Sequence, residues 1–319
     1  MSWLEQSIMR QRGVAQGRQA VTHELTEAKQ GNYHYTIGPY SQPVLSVKPG
    51  DRIIVETRDA FEGKVKTEQD LPSKVLTMPF VNPQNGPIMV EGAQPGDVIA
   101  VYIESIAPRG PNPRGTCAMI PEFGALSATM FTSLLTQPLP EIVRKIDVDE
   151  KGVYWSKRVT LPYKPHIGTL SCSPMLDSIN TLTPDTHGGN MDLPDMGPGS
   201  ITYLPVCTDG ARVFIGDAHA CQGDGEVCGT AVEFQSTTLG DHGAGTAWIG
   251  ATRCYRFDVH RDHVTRLCTL DHDGAVLRID KRHGQHFGGQ VLLGFDLAFK
   301  CIPRLDDDAV ARLNTQHRL

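Results

Sequence analysis

Two segments of similar sequence, PGDRIIVET (49–57) and PGDVIAVYI (95–103), constrain the fold of this chain more than any other feature. Pro-Gly-Asp favours a tight turn, and the alternating β-branched residues that follow favour an extended strand. Each segment is therefore predicted to be a strand that follows the same kind of turn. Because the two segments match closely, they also suggest an internal duplication.

Further strand-like runs are bounded by glycine, aspartate or proline. They are SITYLPV (200–206), RVFIGDA (212–218), EVCGTAVEF (226–234), AVLRID (275–280) and QVLLGFDLAF (290–299). Helical patterns are confined to 124–134, 139–146 and 306–314. The sequence thus predicts a mainly β fold of the α+β type, with duplicated β-sandwich or barrel-like modules and peripheral helices.

Stretches rich in proline and glycine, at 108–115 and around 164–174, predict the domain boundaries. We expect an N-terminal arm at 1–20, a β-rich module at 21–164, and a second β-rich module at 165–319 that carries most of the functional residues. The arm is polar and remote from the motifs described below, so we expect it to contribute to subunit contacts.

Net charge, apolar runs and cysteine spacing indicate which partners and which cellular location to expect. The 319 residues carry a formal net charge of -6, whereas a phosphate-binding surface needs a basic excess, which argues against nucleic acid as a partner. The N-terminus lacks the apolar run of a signal peptide, and no stretch is apolar enough to span a membrane. The eight cysteines form no CxxC pair, so reduced thiols in a cytoplasmic protein are predicted.

Ionisable and amide side chains concentrate in HGGNMD (187–192) and GDAHACQGDGEVCGTAVE (216–233). Asp217 and His219 are two residues apart at the end of a predicted strand, so they should project from the same face. The turn at 223–225 should return the chain so that Glu226 opens the next strand near His219. The glycines in the first segment predict a backbone that passes close to a ligand and a small pocket.

Imidazole and carboxylate side chains in these segments predict a catalytic divalent-ion site rather than a structural zinc site. The predicted ligands are some combination of His187, Asp192, Asp217 and His219, and the ion is zinc or, alternatively, calcium. Such an ion can activate water and polarise an amide carbonyl, while a carboxylate carries the proton to the leaving nitrogen. Glu226 is the candidate for that general base.

Several neighbours have competing interpretations. Asp224 lies in a Gly-Asp-Gly turn, where aspartate more often forms the turn than binds a ligand. Cys221 is a candidate nucleophile, although free cysteine commonly packs as a small apolar residue. Glu233 and Asp224 are the alternatives to Glu226 for the role of base. The chain contains no GxSxG, HExxH, GxxxxGK[ST] or helix-opening GxGxxG motif, so the enzymes that use them are unsupported.

The two motif segments resemble the acetamidase/formamidase family. The resemblance extends in the same order to VKPGDRIIVETRDAFEG (47–63), GPIMVEGAQPGDVIAVYI (86–103) and PHIGTLSCSP (165–174). It implies a duplicated β-rich fold, hydrolysis of short-chain amides such as formamide and acetamide, a divalent metal in at least some members, and a homo-oligomer. The family's motif falls on His187, Asn190, Asp192, Asp217, His219, Gln222 and Glu226, which adds Asn190 and Gln222 to the predicted catalytic residues.

Other functions compete with amide hydrolysis. The same scaffold can serve a cyclic-amide or other C–N hydrolase, because a fold does not determine its substrate. Cys221 could instead act as the nucleophile of a thiol amidase, with His219 or Glu226 as its base. A non-catalytic metal-binding module is the third alternative. The sequence from 241 to 282 is rich in histidine and arginine and is expected to shape the pocket entrance or subunit contacts.

Overall fold

A computed structural model describes residues 20–127, 129, 132–236 and 246–252, the last as a backbone strand. The N-terminal arm, the strands predicted at 275–280 and 290–299 and the helix predicted at 306–314 lie outside the described residues, as does most of the segment 241–282. The predictions made for them are therefore not addressed by the structure.

Strands dominate the described part of the chain, as predicted, and its helices are short. In chain order the strands are β1 (Thr22–Leu25), β2 (Thr36–Ile37), β3 (Leu45–Val47), β4 (Arg52–Val55), β5 (Gln84–Val90), β6 (Val98–Ile103), β7 (Arg114–Met119), β8 (Ile142–Asp149), β9 (Gly152–Ser156), β10 (Val159–Leu161), β11 (His166–Ser171), β12 (Ile179–Asn180), β13 (Pro184–Asp185), β14 (Gly188–Asn190), β15 (Ile201–Pro205), β16 (Val213–His219) and β17 (Thr246–Thr252). The helices are α1 (Glu27–Gln30), α2 (Pro72–Val75) and α3 (Thr132–Leu135).

The two Pro-Gly-Asp segments form strands as predicted, and their turns have the same hydrogen bonds. Asp51 precedes β4 and accepts the backbone N–H of Lys48 through Oδ2 at 3.0 Å. Asp97 precedes β6 and accepts the N–H of Gln94 in the same way, also at 3.0 Å. Both strands then pair with β17 in a five-stranded sheet of order β1-β4-β17-β6-β15.

A six-stranded sheet of order β13-β14-β11-β16-β5-β3 carries the residues of interest. Its two central strands, β11 and β16, are antiparallel, and their register places His166 directly opposite His219. A four-stranded sheet of order β10-β9-β8-β7 lies beside it, and Glu233 joins the two through bridges to Thr116 and His219. An apolar core that includes Ile88, Leu170 and Phe234 packs against these sheets.

Three element predictions were wrong. Residues 139–146 fall largely in strand β8, because pairing with β7 and β9 outweighs the weak helical pattern. Among the described residues of the helix predicted at 124–134, only those of α3 are helical, and residues 124–127 form bends. The strand predicted at 226–234 is instead a turn followed by isolated bridges, since Glu226 and Gly229 have φ of 45° and 87°, outside the extended region.

The predicted boundary near residue 164 separates strands that share sheets. Strand β6 pairs with β15, and β5 pairs with β16, so both large sheets contain strands from either side of this boundary. The division into modules remains a prediction. Within the described residues, no helix has the length and apolar character needed to cross a membrane.

Candidate active site

Asp217 and His219 project together from the end of β16, as their spacing predicted. His219 Nε2 lies 3.3 Å from Asp217 Oδ1, and both side chains are buried. The other carboxylate oxygen, Oδ2, accepts hydrogen bonds from Thr169 Oγ1 at 3.1 Å and Asn82 Nδ2 at 3.2 Å. These bonds hold the Asp217 carboxylate in place and orient Oδ1 towards the imidazole.

Asp192 reaches the same point from the turn that follows β14. Its Oδ1 lies 4.0 Å from His219 Nε2, and its Oδ2 accepts a hydrogen bond of 2.9 Å from Asn190 Nδ2. Ligand atoms of Asp192, Asp217 and His219 all lie within 4.8 Å of one another, so these three predicted ligands form a group that could hold a metal ion. We call this group the acid–histidine cluster.

Gly168, which was not among the predicted residues, makes room for the cluster. A Cβ added to it would lie 2.5 Å from Asp217 Oδ2, 2.7 Å from Asp192 Oδ1 and 2.9 Å from His219 Cε1. Real Cβ atoms essentially never approach other atoms so closely. Only glycine therefore fits between the three side chains without displacing them.

The glycines of the first motif lie close to neighbouring backbone. A Cβ on Gly188 would lie 2.4 Å from the Leu170 carbonyl, and one on Gly189 would lie 2.4 Å from the Thr183 carbonyl. Both residues have positive φ. Gly188 and Gly189 thus allow neighbouring backbone segments to approach each other, and their role in making room for a ligand stays a prediction.

His187 does not join the acid–histidine cluster among the groups of nearby ligand atoms. Its side chain is buried, and neither ring nitrogen has a hydrogen-bond partner in the described part of the chain. Burial lowers the pKa of His187, opposed by the charge of Asp185. Its role as a ligand stays a prediction, without support from its position.

Glu226 and Glu233 approach the cluster from the chain that follows β16. Their carboxylates and His219 form a second group with ligand atoms within 4.8 Å of one another. Glu233 is buried, with Oε2 3.1 Å from His219 Nε2 and Oε1 accepting the N–H of Ala231 at 3.0 Å. Glu226 is only partly buried and belongs to a turn of residues 223–229, which we call the Glu226 loop. Two acids therefore flank the imidazole, one held firmly and one in a surface loop.

A second layer of side chains orients His219. Its Nδ1 lies 2.7 Å from Gln222 Oε1 and 3.1 Å from His166 Nε2. Gln222 also donates from Nε2 to the Asp192 carbonyl at 2.6 Å. When Nδ1 donates its proton to the amide oxygen of Gln222, Nε2 is left to face the acids, which is the tautomer that a metal-binding histidine needs.

Asp224 and Cys221 occupy less central positions. Asp224 is exposed in the Glu226 loop and does not line the cavity described below. Cys221 is half-buried against the apolar core, and burial raises the pKa of its thiol. The geometry thus favours the turn-forming interpretation of Asp224 and the packing interpretation of Cys221.

Burial and mutual repulsion shift the pKa values of the acids. Burial, then the charge of Asp217, raises the pKa of Asp192 to about 7. Burial, then the charge of Glu233, raises the pKa of Glu226 to about 9. The pKa of Glu233 is raised to about 8, mainly by burial. The site is therefore short of positive charge.

Asp217 and His219 shift in the directions of an ion pair. Burial disfavours the charged form of Asp217, but the charge of His219 and its hydrogen bonds outweigh this and lower the pKa. Burial also opposes protonation of His219, yet the charges of Glu233 and Asp217 raise its pKa well above the usual value. Without another cation, the protonated imidazole is the positive charge that holds these acids together.

A cavity of about 630 Å³ opens onto the site. Asn190, both acids of the cluster, His219, Glu226 and Glu233 line one part of it. Apolar side chains that include Phe61, Leu76, Met78, Ile120 and Phe123 line the rest. The cavity is larger than the small pocket predicted from the glycines, so the described residues alone do not restrict the ligand to very short molecules.

Four residues that support the site were not predicted from the sequence: Asn82, His166, Gly168 and Thr169. Three of them lie in PHIGTLSCSP, a segment that contributed to the family resemblance but contains no obvious catalytic pattern. Asn82 is separated from Asp217 by 135 residues and meets it only in the folded sheet. Strand register, which the sequence did not reveal, was the missing information.

Comparisons with known proteins agree with the motifs. A model of the Acetamidase/Formamidase family matches residues 20–182 and 175–239. A formamidase from Methylophilus methylotrophus is 27% identical over 256 residues, which cover 62% of this chain and 61% of that protein. The match thus spans less than two thirds of the length of this curated relative.

Solved structures are similar over a larger share of the chain. The crystal structure of an acetamidase from Yersinia enterocolitica is 67% identical, with a TM-score of 0.71, over 77% of this chain and 73% of that one. An acetamidase from Bacillus halodurans is 30% identical, with a TM-score of 0.62, over 72% of this chain and 70% of that one. The fold is therefore similar to that of proteins named acetamidase.

Proposed function

Because the chain belongs to the acetamidase/formamidase family, we propose that it hydrolyses short-chain linear amides, such as formamide and acetamide, to a carboxylate and ammonia. The observation that carries the proposal is that Glu226 lines the same cavity as the buried acid–histidine cluster. Amide hydrolysis requires a group that moves a proton from water to the leaving nitrogen, beside a site that polarises the carbonyl. The names of the relatives, formamidase and acetamidase, support this substrate class.

The cluster suits a divalent cation. Its donors are one imidazole nitrogen and carboxylate oxygens, a set compatible with zinc and, if more oxygens are recruited, calcium. Burial, and then the charge of Asp217, raise the pKa of Asp192 to about 7. Glu233 Oε2 and Asp217 Oδ1 also lie 3.1 Å and 3.3 Å from the same nitrogen, His219 Nε2, so two carboxylates share one imidazole. A cation held by Asp192, Asp217 and His219 would relieve both. When bound, it would supply Lewis-acid polarisation of the carbonyl and lower the pKa of a nearby water.

Glu226 is the proposed general base. It lines the cavity and is only partly buried, so substrate and water can reach it, whereas Glu233 is buried and already engaged with Ala231. The pKa of Glu226, raised to about 9 by burial and then by Glu233, falls when a cation binds beside it, because positive charge favours the carboxylate. A base whose pKa lies near the working pH can both accept a proton and return it to the leaving nitrogen.

Asn190 and Gln222 act as positioning residues in this proposal. Asn190 donates to the Asp192 carboxylate, and its Oδ1 lies 2.5 Å from Thr169 Oγ1, whose one proton is shared between Asn190 Oδ1 and Asp217 Oδ2. Gln222 contacts both His219 Nδ1 and the Asp192 carbonyl. Gln222 thus joins two members of the cluster, and Asn190 joins Asp192 to Thr169, which restricts the rotation of the donor side chains. The cytoplasmic location and the homo-oligomer remain proposals. Fractionation of cells tests the location, and a mass measurement in solution tests the oligomeric state.

Replacing Glu226 by Gln tests the proposed mechanism. Glu226→Gln keeps the shape of the side chain and removes its basicity, so we expect kcat for acetamide to fall by roughly 10² to 10⁴-fold, the effect of losing one positioned acid–base group. Thermal stability and metal content should be close to those of the unchanged protein. Steady-state ammonia release and elemental analysis of the same preparation measure the two quantities.

Glu122→Gln is the matched control. Glu122 also lines the cavity and also has a positive φ, of 74°, but it does not belong to either group of nearby ligand atoms. Its replacement should leave kcat almost unchanged. A Glu226→Gln variant as active as this control would contradict the role of base, and one that loses its metal would make Glu226 a ligand instead.

A further inference from the structure

Two cysteines lie next to each other beside the proposed active site. Cys117 is on strand β7, and Cys228 is in the Glu226 loop, two residues after Glu226. Their sulfur atoms are 3.9 Å apart although 111 residues separate them in sequence. Both are free and partly buried. We call them the cysteine pair.

We propose that the cysteine pair is a site of reversible oxidation, at which a peroxide forms a disulfide that displaces the Glu226 loop and lowers amidase activity. The formation of the disulfide is independent of the proposed function, whereas its effect on activity rests on it. The sulfur atoms need to approach from 3.9 Å to about 2.05 Å, a movement of a size that side-chain rotation and a small loop shift can supply.

The surroundings determine which partner moves. Cys117 lies within β7, which pairs along its whole length with β8, so its backbone is held by the four-stranded sheet. Cys228 lies in a surface loop whose neighbouring residue, Val227, is 53% exposed. Closure of the sulfur–sulfur distance therefore pulls the loop towards the strand rather than the strand towards the loop.

Contacts on one side of the Glu226 loop prevent Cys228 from moving without also moving Glu226. The Ala125 N–H donates to the Val227 carbonyl at 3.0 Å, and a Cβ on Gly124 would lie 2.5 Å from the backbone nitrogen of Gly229. The loop is thus packed against residues 123–125 on one side. Because the loop is short and constrained there, a shift at Cys228 is passed to Glu226, and a misplacement of about 1 Å is enough to reduce catalysis by about 100-fold.

The chemistry balances with hydrogen peroxide as the oxidant. The Cys228 thiolate attacks one peroxide oxygen, the O–O bond breaks, and a sulfenic acid forms at Cys228 while hydroxide leaves and takes up a proton as water. The Cys117 thiol then loses its proton and its sulfur attacks the Cys228 sulfur. The S–S bond forms as the S–O bond breaks, and the leaving hydroxide takes up the thiol proton as water. Two thiols are oxidised and one peroxide is reduced to two waters. The hydrogen bond from Cys117 lowers the pKa of Cys228 to about 6, which supports the choice of Cys228 as the attacking sulfur.

Peptide mapping of the full-length protein tests the proposal. The reduced protein is exposed to hydrogen peroxide, its remaining thiols are alkylated, and a digest is analysed by mass spectrometry. We expect a linked peptide joining Cys117 to Cys228, a parallel fall of at least about tenfold in kcat for acetamide, and recovery of both after dithiothreitol.

Cys228→Ser and Cys207→Ser are the paired variants. Cys207 is also half-buried and free, but it follows β15 on another sheet. Cys228→Ser should abolish the linked peptide and the sensitivity to peroxide, and Cys207→Ser should retain both.

Two results would overturn the proposal. One is that Cys117 and Cys228 are both still alkylated after peroxide treatment, and the other is a disulfide from Cys228 to a different cysteine. A linked peptide with unchanged activity would overturn the displacement of the loop. A reduced protein inactive on amides would refute the proposed function and leave the mapping result interpretable.

Discussion

Substituting Gly168 by alanine adds a single methyl group at a crowded point of the proposed site, between the side chains of the acid–histidine cluster. The new Cβ would lie 2.5 Å from Asp217 Oδ2 and 2.7 Å from Asp192 Oδ1, whereas ordinary contact begins at 3.4 Å. The two oxygens would therefore have to retreat by about 0.9 Å and about 0.7 Å to reach ordinary contact. Asp217 cannot retreat freely, because Thr169 and Asn82 hold the same oxygen by hydrogen bonds.

The expected effect falls on function rather than on the fold. Alanine in a strand is favoured over glycine by up to about 1 kcal/mol, which offsets part of the strain in the Gly168→Ala variant. Displacement of donor atoms by nearly 1 Å should lower kcat/KM for acetamide by about 100-fold. Metal content should fall as well, because the donors of the acid–histidine cluster no longer converge.

Gly152→Ala provides a control with a comparable clash elsewhere. A Cβ at Gly152, on strand β9, would lie 2.7 Å from the methyl group of Thr160, outside the sheet that carries the site. Ammonia release, elemental analysis and thermal unfolding should be measured on both variants. If Gly168→Ala keeps kcat/KM and metal content within about threefold of the Gly152→Ala values, the inferred crowding at Gly168 is refuted.

Two further predictions concern the charges of the site. Asp192, Glu226 and Glu233 have pKa values of about 7, 9 and 8 in the folded protein, above their ordinary values, so the metal-free fold binds extra protons and loses stability as the pH rises through this range. Metal binding expels these protons, so the rise in Tm on adding zinc should grow from about pH 6 to about pH 9; a rise that is the same at all pH values would contradict this. Thr169→Val removes one donor to Asp217 and should lower stability by roughly 1–3 kcal/mol, and a denaturant-unfolding difference close to zero would show that the hydroxyl does not hold the carboxylate.

Local patterns were sufficient to predict part of the site. Alternation along a strand placed Asp217 and His219 on one face, and a Gly-Asp-Gly sequence predicted the turn that follows. Both features depend only on residues close in sequence. Asn82 and Gly168 could not be found in this way, because their contacts with Asp217 are created by the pairing of strands that are distant in the chain. A residue without a side chain, such as Gly168, gives no local signal of its role.

The failed strand at 226–234 has a physical cause that also marks the site. Glu226 has a φ of 45°, a conformation that costs a residue other than glycine of the order of 1–3 kcal/mol and that no propensity-based argument would assign to it. Eight such residues occur in the described part of the chain, and five of them line the cavity: Asn82, Glu122, Asp192, Asp217 and Glu226. Asparagine and aspartate tolerate this region better than glutamate does, so among these five residues the strain is greatest at Glu122 and Glu226.

Backbone strain persists only where surrounding contacts impose it, and here it turns side chains of the acid–histidine cluster and the Glu226 loop towards one cavity. At Glu226 the local preferences that predict a regular strand are overridden where the proposed chemistry needs a carboxylate, which is why the sequence pattern failed at this position.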